Sequence, residues 1–138
     1  MAISRAKEKI HAALQDWPGI TSRPHRFGGT EYCLGRREIG HIHGDSLVDI
    51  PFPMEVRNDL VTAGRAEPHH VLPESGWVSV YLKQATDVDR AIELLRLSFE
   101  IAEQESGTRG IFLLLRDQSK RFAGFRNSLL ASPVSNWS

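Results

Sequence analysis

The residues of this chain best suited to chemistry are its histidines. Four of the six, His41, His43, His69 and His70, lie between residues 28 and 82. His41 and His43 stand two apart in the run Arg37-Glu38-Ile39-Gly40-His41-Ile42-His43, whose texture predicts a strand. On a strand, residues two apart face the same side, with Cα atoms about 6.5–7 Å apart. Two imidazoles placed in that way can reach one zinc or iron ion, since zinc–nitrogen bonds are about 2.0–2.1 Å. His70 is the expected third metal ligand, with His69 or His25 as substitutes. Strand parity directs Glu38 to the other face, which makes it a poor ligand beside them. Imidazole also suits acid–base work near neutral pH. The blandest reading is a hydrogen-bonded polar cluster that pins the sheet to the loop over residues 65–76.

Other constellations carry less. Ser75-Gly76 beside His70 suggests a nucleophile and base, but no Gly-x-Ser-x-Gly elbow is present, and a serine in such a loop more often forms a turn. Gly28-Gly29 has the spacing of neither a Walker loop nor a dinucleotide fingerprint. Trp77 reads as core or pocket wall, and Arg36-Arg37 as a solvated hairpin tip. The single cysteine, Cys33, excludes an internal disulfide and an all-cysteine metal site. A run resembling the start of a cupin motif lacks the later glutamate, and two long helices disagree with an all-β barrel.

The elements that must position these residues follow from periodicity. Ile3, Ala6, Ile10, Ala13 and Leu14 recur at helical spacing, which predicts a first helix over about 4–15 with Ser4 as N-cap. Trp17-Pro18-Gly19 ends it. Residues 30–34, 37–43, 47–51 and 77–82 read as strands, and 25–27 leads into the Gly28-Gly29 turn. Their short connections require antiparallel pairing, because a parallel pair needs a crossover of a dozen or more residues. Pro53 opens a helix that Gly64 ends. Thr86 or Asp87 caps the strongest helix, whose stripe of Val88, Ile92, Leu95, Phe99 and Ala102 predicts packing across the sheet and an end near Ser106-Gly107. A final helix over about 116–130 follows. The whole is an α+β domain, with an antiparallel sheet of four to five strands packed against helices on one side.

Composition bounds the rest. A chain of 138 residues, 41% hydrophobic and 25% charged, is expected to form a single domain over 1–138. Seventeen basic and seventeen acidic residues balance, so no global field favours nucleic acid or an anionic membrane. The extension 107–138 is basic: Arg109, Arg116, Lys120, Arg121 and Arg126 face only Asp117. No secretory segment and no membrane-crossing apolar run is visible, so a cytoplasmic location is expected.

The ordered set His25-x-Phe27-Gly28-Gly29, Glu38-Ile39-Gly40-His41-Ile42-His43, Asp49-Ile50-Pro51, Gly64-x-Ala66 and His70-x-x-Pro73-x-Ser75-Gly76-Trp77 resembles the luciferase-domain proteins of bacteria and fungi over about residues 17–103. That resemblance implies a fold and carries no reaction. Architecturally, a histidine-bearing loop, a tryptophan-led strand and a long helix resemble the latter half of MmcQ/YjbR-type proteins. Those imply a frataxin-like sandwich. The expected function is a small-ligand or partner-protein binding domain whose sheet face carries His25, Glu38, His41, His43, Asp49, His70, Ser75 and Trp77. The alternative is a metal-dependent enzyme using His41 and His43 with a further histidine. A second alternative is weak nucleic-acid binding through the basic C-terminal segment.

Overall fold

The computed structural model describes residues 4–26 and 28–110, with side chains to residue 106. Helix α1 (Ala6–Leu14) is followed by strands β1 (Ile20–Pro24), β2 (Thr30–Leu34), β3 (Arg37–His43) and β4 (Leu47–Pro51). Helix α2 (Met54–Thr62), strands β5 (Glu67–Pro68) and β6 (Trp77–Tyr81), and helix α3 (Ala85–Gly110) complete the order. Among the described residues the sheet has six strands, all antiparallel, in the order β1-β2-β3-β4-β6-β5. The α+β class is as expected, with a larger sheet. The added strands are its two edges. β1 is exposed along Thr21–Pro24, so it lacks the apolar alternation of a half-buried strand. β5 is only two residues long, too short for any pattern.

One face of the sheet is covered by α1 and α3. Ala6, Ile10 and Leu14 bury the stripe of α1, while Ala91, Leu95, Phe99 and Ala102 bury that of α3. They meet Ile39, Ile42, Val48, Ile50, Val78 and Val80 from the strands. Gly40 lets α3 come this close, since a Cβ there would stand 2.6 Å from Leu95 Cδ2 and 3.0 Å from the Asp49 carbonyl oxygen. α2 packs beside β5 and β6.

The helix ends show local chemistry and two corrections to it. After α2, Gly64 takes a left-handed φ of 73°. Its N–H donates to the Val61 carbonyl at 3.0 Å, and that of Arg65 to Leu60 at 2.9 Å, the paired bonds of a Schellman ending. Ser4 does not cap α1. The N-cap is Arg5, and the Asp45 carboxylate, from the β3–β4 turn, accepts the Lys7 N–H at 2.8 Å. A distant acid thus satisfies a helix-end donor that local sequence leaves open. Asp87 is no N-cap either. It lies in the first turn of α3 and accepts the N–H groups of Lys83 and Gln84, each at 2.8 Å, as the acid of a capping box reaches back. Helix α3 runs on to Gly110, past the expected stop. The expected helix over 116–130 and most of the basic extension lie outside the described residues. No helix among the described residues is long and apolar enough to cross a membrane.

Candidate metal centre

The site lies on the face away from α3. Register places His41 on β3 opposite Asp49 on β4, and Asp49 opposite Ser79 on β6. These three form one cross-strand row, and His43 lies two residues along from His41. Asp49 is the hub. It has no solvent exposure, and its Oδ1 accepts the Ser79 hydroxyl at 2.6 Å. Its Oδ2 lies 3.0 Å from His43 Nε2, 3.1 Å from His70 Nε2, 3.3 Å from His41 Nε2 and 3.4 Å from His69 Nε2. Burial alone would push the Asp49 carboxyl up. The hydrogen bonds from His41, Ser79 and His70 outweigh burial and hold it well below the ordinary carboxylate range.

The four imidazoles differ in what holds their other nitrogen. His41 Nδ1 stands 2.6 Å from Glu38 Oε2. A carboxylate accepts only, so Nδ1 carries a proton, and Nε2 is the nitrogen left for an ion when the ring is neutral. Burial disfavours charge on His41, yet its bonds to Asp49 and Glu38 carry its pKa up to about 9. His69 is the reverse. Its Nδ1 accepts the N–H groups of Val71 and Leu72, both at 3.0 Å, so its proton sits on Nε2 and faces Asp49. Burial holds the pKa of His69 below the ordinary value, against the attraction of Asp49. His69 therefore donates to the carboxylate and has no lone pair left for an ion there. Sequence reading allowed it only as a substitute ligand, and Ser79 was missed. A polar residue sharing the parity of Trp77 in an apolar strand was the available sign of Ser79.

Glu38 corrects the parity argument. The β2–β3 register jumps, with Tyr32 opposite Gly40 but Cys33 opposite Glu38, which leaves Ile39 as the extra residue of a β-bulge. The bulge moves Glu38 to the face of His41 and gives its core place to Ile39, which is fully buried. His25 stacks on His41 with ring centroids 4.1 Å apart, and Trp77 lies 5.2 Å from the same ring. Ser75 is committed to its loop: its hydroxyl donates to the Leu72 carbonyl at 2.7 Å and accepts the Trp77 N–H at 3.1 Å. The structure thus brings together His25, Glu38, His41, His43, Asp49, His70 and Trp77. Ser75 instead serves the turn, through the Leu72 carbonyl and the Trp77 backbone N–H.

Among the described residues, three groups of side chains have the composition and proximity to hold a metal ion: His25, Glu38 and His41; His41, His43 and Asp49; and Asp49, His69 and His70. Chemistry ranks them. Two donors bound at about 2.1 Å to one ion are held roughly 2.9 Å or more apart, so the 2.6 Å contact of Glu38 with His41 is a hydrogen bond. The proton on His69 Nε2 removes that ring. His41, His43 and Asp49 form the group whose donors an ion could take, once it displaces the proton that His41 holds near neutral pH, while His70 meets the same Asp49 oxygen from the other group. An open groove of about 710 Å³ between α1 and the β1–β2 hairpin, lined by His11, Gln15 and Ser22 among others, shares none of these residues.

No curated protein and no solved structure matched the chain. Residues 36–98 match the model of the family described as Luciferase domain, a narrower span than the motifs suggested. That span holds Glu38, His41, His43, Asp49, His69, His70 and Ser79 and stops short of His25. The hub and every side chain bonded to it therefore lie within the segment that carries the likeness to the luciferase-domain family.

Proposed function

We propose that this domain binds a divalent first-row transition-metal ion, zinc or iron, through Asp49, His41, His43 and His70, and uses it in a metal-dependent reaction on a small molecule. One observation carries the reading: four imidazole Nε2 atoms converge on a single oxygen of a fully buried carboxylate. One carboxylate oxygen offers about two lone-pair directions, and the other oxygen of Asp49 is engaged by Ser79. Hydrogen bonds alone satisfy this convergence poorly. A cation satisfies it well. Ligands bonded at about 2.0–2.2 Å stand roughly 2.9 Å apart at right angles and 3.4 Å at tetrahedral angles. The separations of 3.0, 3.1 and 3.3 Å from Asp49 to His43, His70 and His41 fall within that range. The donor atoms of His41, His43 and Asp49 lie close enough together for one ion, with His70 reaching it from the side of the shared Asp49 oxygen.

Three neutral imidazoles and one carboxylate leave a divalent ion with a net charge of +1. Such an ion supplies Lewis acidity and, for iron, one-electron chemistry. His43 and His70 are the partly exposed members, so an incoming molecule meets the site on their side. The other reading, a metal-free pocket that binds a ligand or partner, draws support from His41. Its raised pKa makes it a cation at neutral pH, with a proton taking the place of an ion between Glu38 and Asp49.

Metal content separates the two. Untagged protein, incubated with zinc or ferrous iron and freed of excess by gel filtration, is expected to retain close to one equivalent. The double variant His41→Ala/His43→Ala is expected to retain none. Less than about 0.1 equivalent on the wild type would sink the metal reading, because a built site fills stoichiometrically.

A further inference from the structure

We propose that Glu38, set on the site face by the Ile39 bulge, is a positioning residue that fixes His41 as an Nε2 metal ligand. The inference rests on the metal-binding reading above and goes beyond it by naming what sets the strength of that site.

The argument begins with the backbone. In a regular strand Glu38 would share the face of Gly40 and Ile42, against Leu95 of α3, where a carboxylate finds no water. The extra residue at Ile39 reverses this and puts Glu38 three positions before His41 on the same side. The bulge is itself secured. The Ile39 carbonyl accepts the hydroxyl of Ser98, a buried residue of α3, at 2.9 Å, and Ile39 fills the core with no exposure. Helix α3 thus holds the irregularity from beneath while Glu38 acts above.

The contact then decides the tautomer. A neutral imidazole carries its proton on either nitrogen, and only the deprotonated nitrogen can bind an ion. Glu38 Oε2 at 2.6 Å from Nδ1 makes a short charge-assisted bond that holds the proton there. It also orients the ring and raises the basicity of Nε2. Carboxylate–histidine pairs of this kind typically contribute a factor of about 10–100 to metal affinity. The neighbouring imidazole of His69 has the opposite arrangement, with backbone N–H groups on Nδ1, and serves as the contrast within one site.

The test uses the full chain, stripped with a chelator, and titrates zinc and then cobalt(II) into wild type, Glu38→Ala and Glu38→Gln. Glu38 is partly exposed, and urea unfolding of each metal-free variant reports whether the fold is kept. Glu38→Ala is expected to weaken zinc binding by about 10–100-fold. Glu38→Gln should recover most of that loss, since its amide oxygen still accepts the Nδ1 proton. The visible cobalt(II) bands at saturation should match in all three, because the ligands are unchanged. A Glu38→Ala affinity within about threefold of wild type overturns this inference and leaves the metal reading standing. So does a glutamine variant as weak as alanine, or a cobalt spectrum showing that a ligand has been lost. A wild-type chain that binds neither ion overturns both.

Discussion

Replacing Asp49 by asparagine removes the charge at the hub with almost no change in shape, and its effect on stability should depend on pH in a definite direction. In the metal-free protein, burial disfavours charge on His41, but Asp49 first and Glu38 second raise its pKa to about 9, against about 6.5 in the unfolded chain. A raised folded pKa stabilises the fold fully below about 6.5 and loses that contribution as pH climbs through about 9. The interval corresponds to roughly 3 kcal/mol, shared between Asp49 and Glu38. Asparagine keeps an oxygen for Ser79 but sets an amide group against imidazole nitrogens, a pH-independent cost of about 1 kcal/mol. The loss on Asp49→Asn should therefore be about 1–3 kcal/mol larger at pH 6 than at pH 9.5, where only the amide cost of about 1 kcal/mol remains. Urea unfolding of both proteins in EDTA at those two pH values measures it. Asp49 itself, held below the ordinary carboxylate range, adds stability above about pH 4 that is lost on acidification, so the wild type should also weaken toward pH 3. A difference between the two proteins that stays constant from pH 6 to 9.5, or grows, would refute the coupling of His41 to Asp49.

Two further outcomes follow from the same contacts. Zinc must displace a proton from His41, so its apparent affinity should rise by about tenfold from pH 7 to pH 8 and level off above about 9. A competition titration with a chromophoric chelator measures this, and a flat profile would contradict the assignment of His41 as a ligand. Gly40→Ala places a methyl group 2.6 Å from Leu95 Cδ2 and 3.0 Å from a backbone oxygen of β4. It should cost about 1–3 kcal/mol by urea unfolding, through overpacking between α3 and the sheet, and a neutral result would show that the helix has room to move.

Much of the fold could be read from the chain because its core elements obey simple periods. His41 and His43 flank Ile42, and Val78 and Val80 alternate with Trp77, Ser79 and Tyr81. Parity therefore sorted a polar face from a packed one. The edge strands escaped for the opposite reason. Thr21, Ser22, Arg23 and Pro24 are all exposed and are held by pairing with β2, for which no side-chain pattern is required. The cap of α1 escaped because its acid, Asp45, is remote in sequence from the donor it satisfies.

The site itself was visible in part, and the part that was hidden shows what a linear pattern omits. Neighbouring histidines at 69 and 70 look interchangeable in sequence, yet one accepts two backbone N–H groups on Nδ1 while, among the described residues, the other is held through Nε2 at Asp49. That difference comes from the turn over His69–Leu72, and it decides which ring has a lone pair to give. Glu38 is the sharper case, since strand parity assigned it to the wrong face by a rule that holds for Gly40 and Ile42 in the same strand. The rule failed at the one position where an extra residue breaks the period, and that residue stands next to the carboxylate that contacts His41. A regular β3 would have kept every ladder bond and left His41 Nδ1 without its carboxylate. Local irregularity clusters where geometry serves a site rather than the ladder. The buried Ser98 hydroxyl on the Ile39 carbonyl shows that α3 is shaped to hold that irregularity in place.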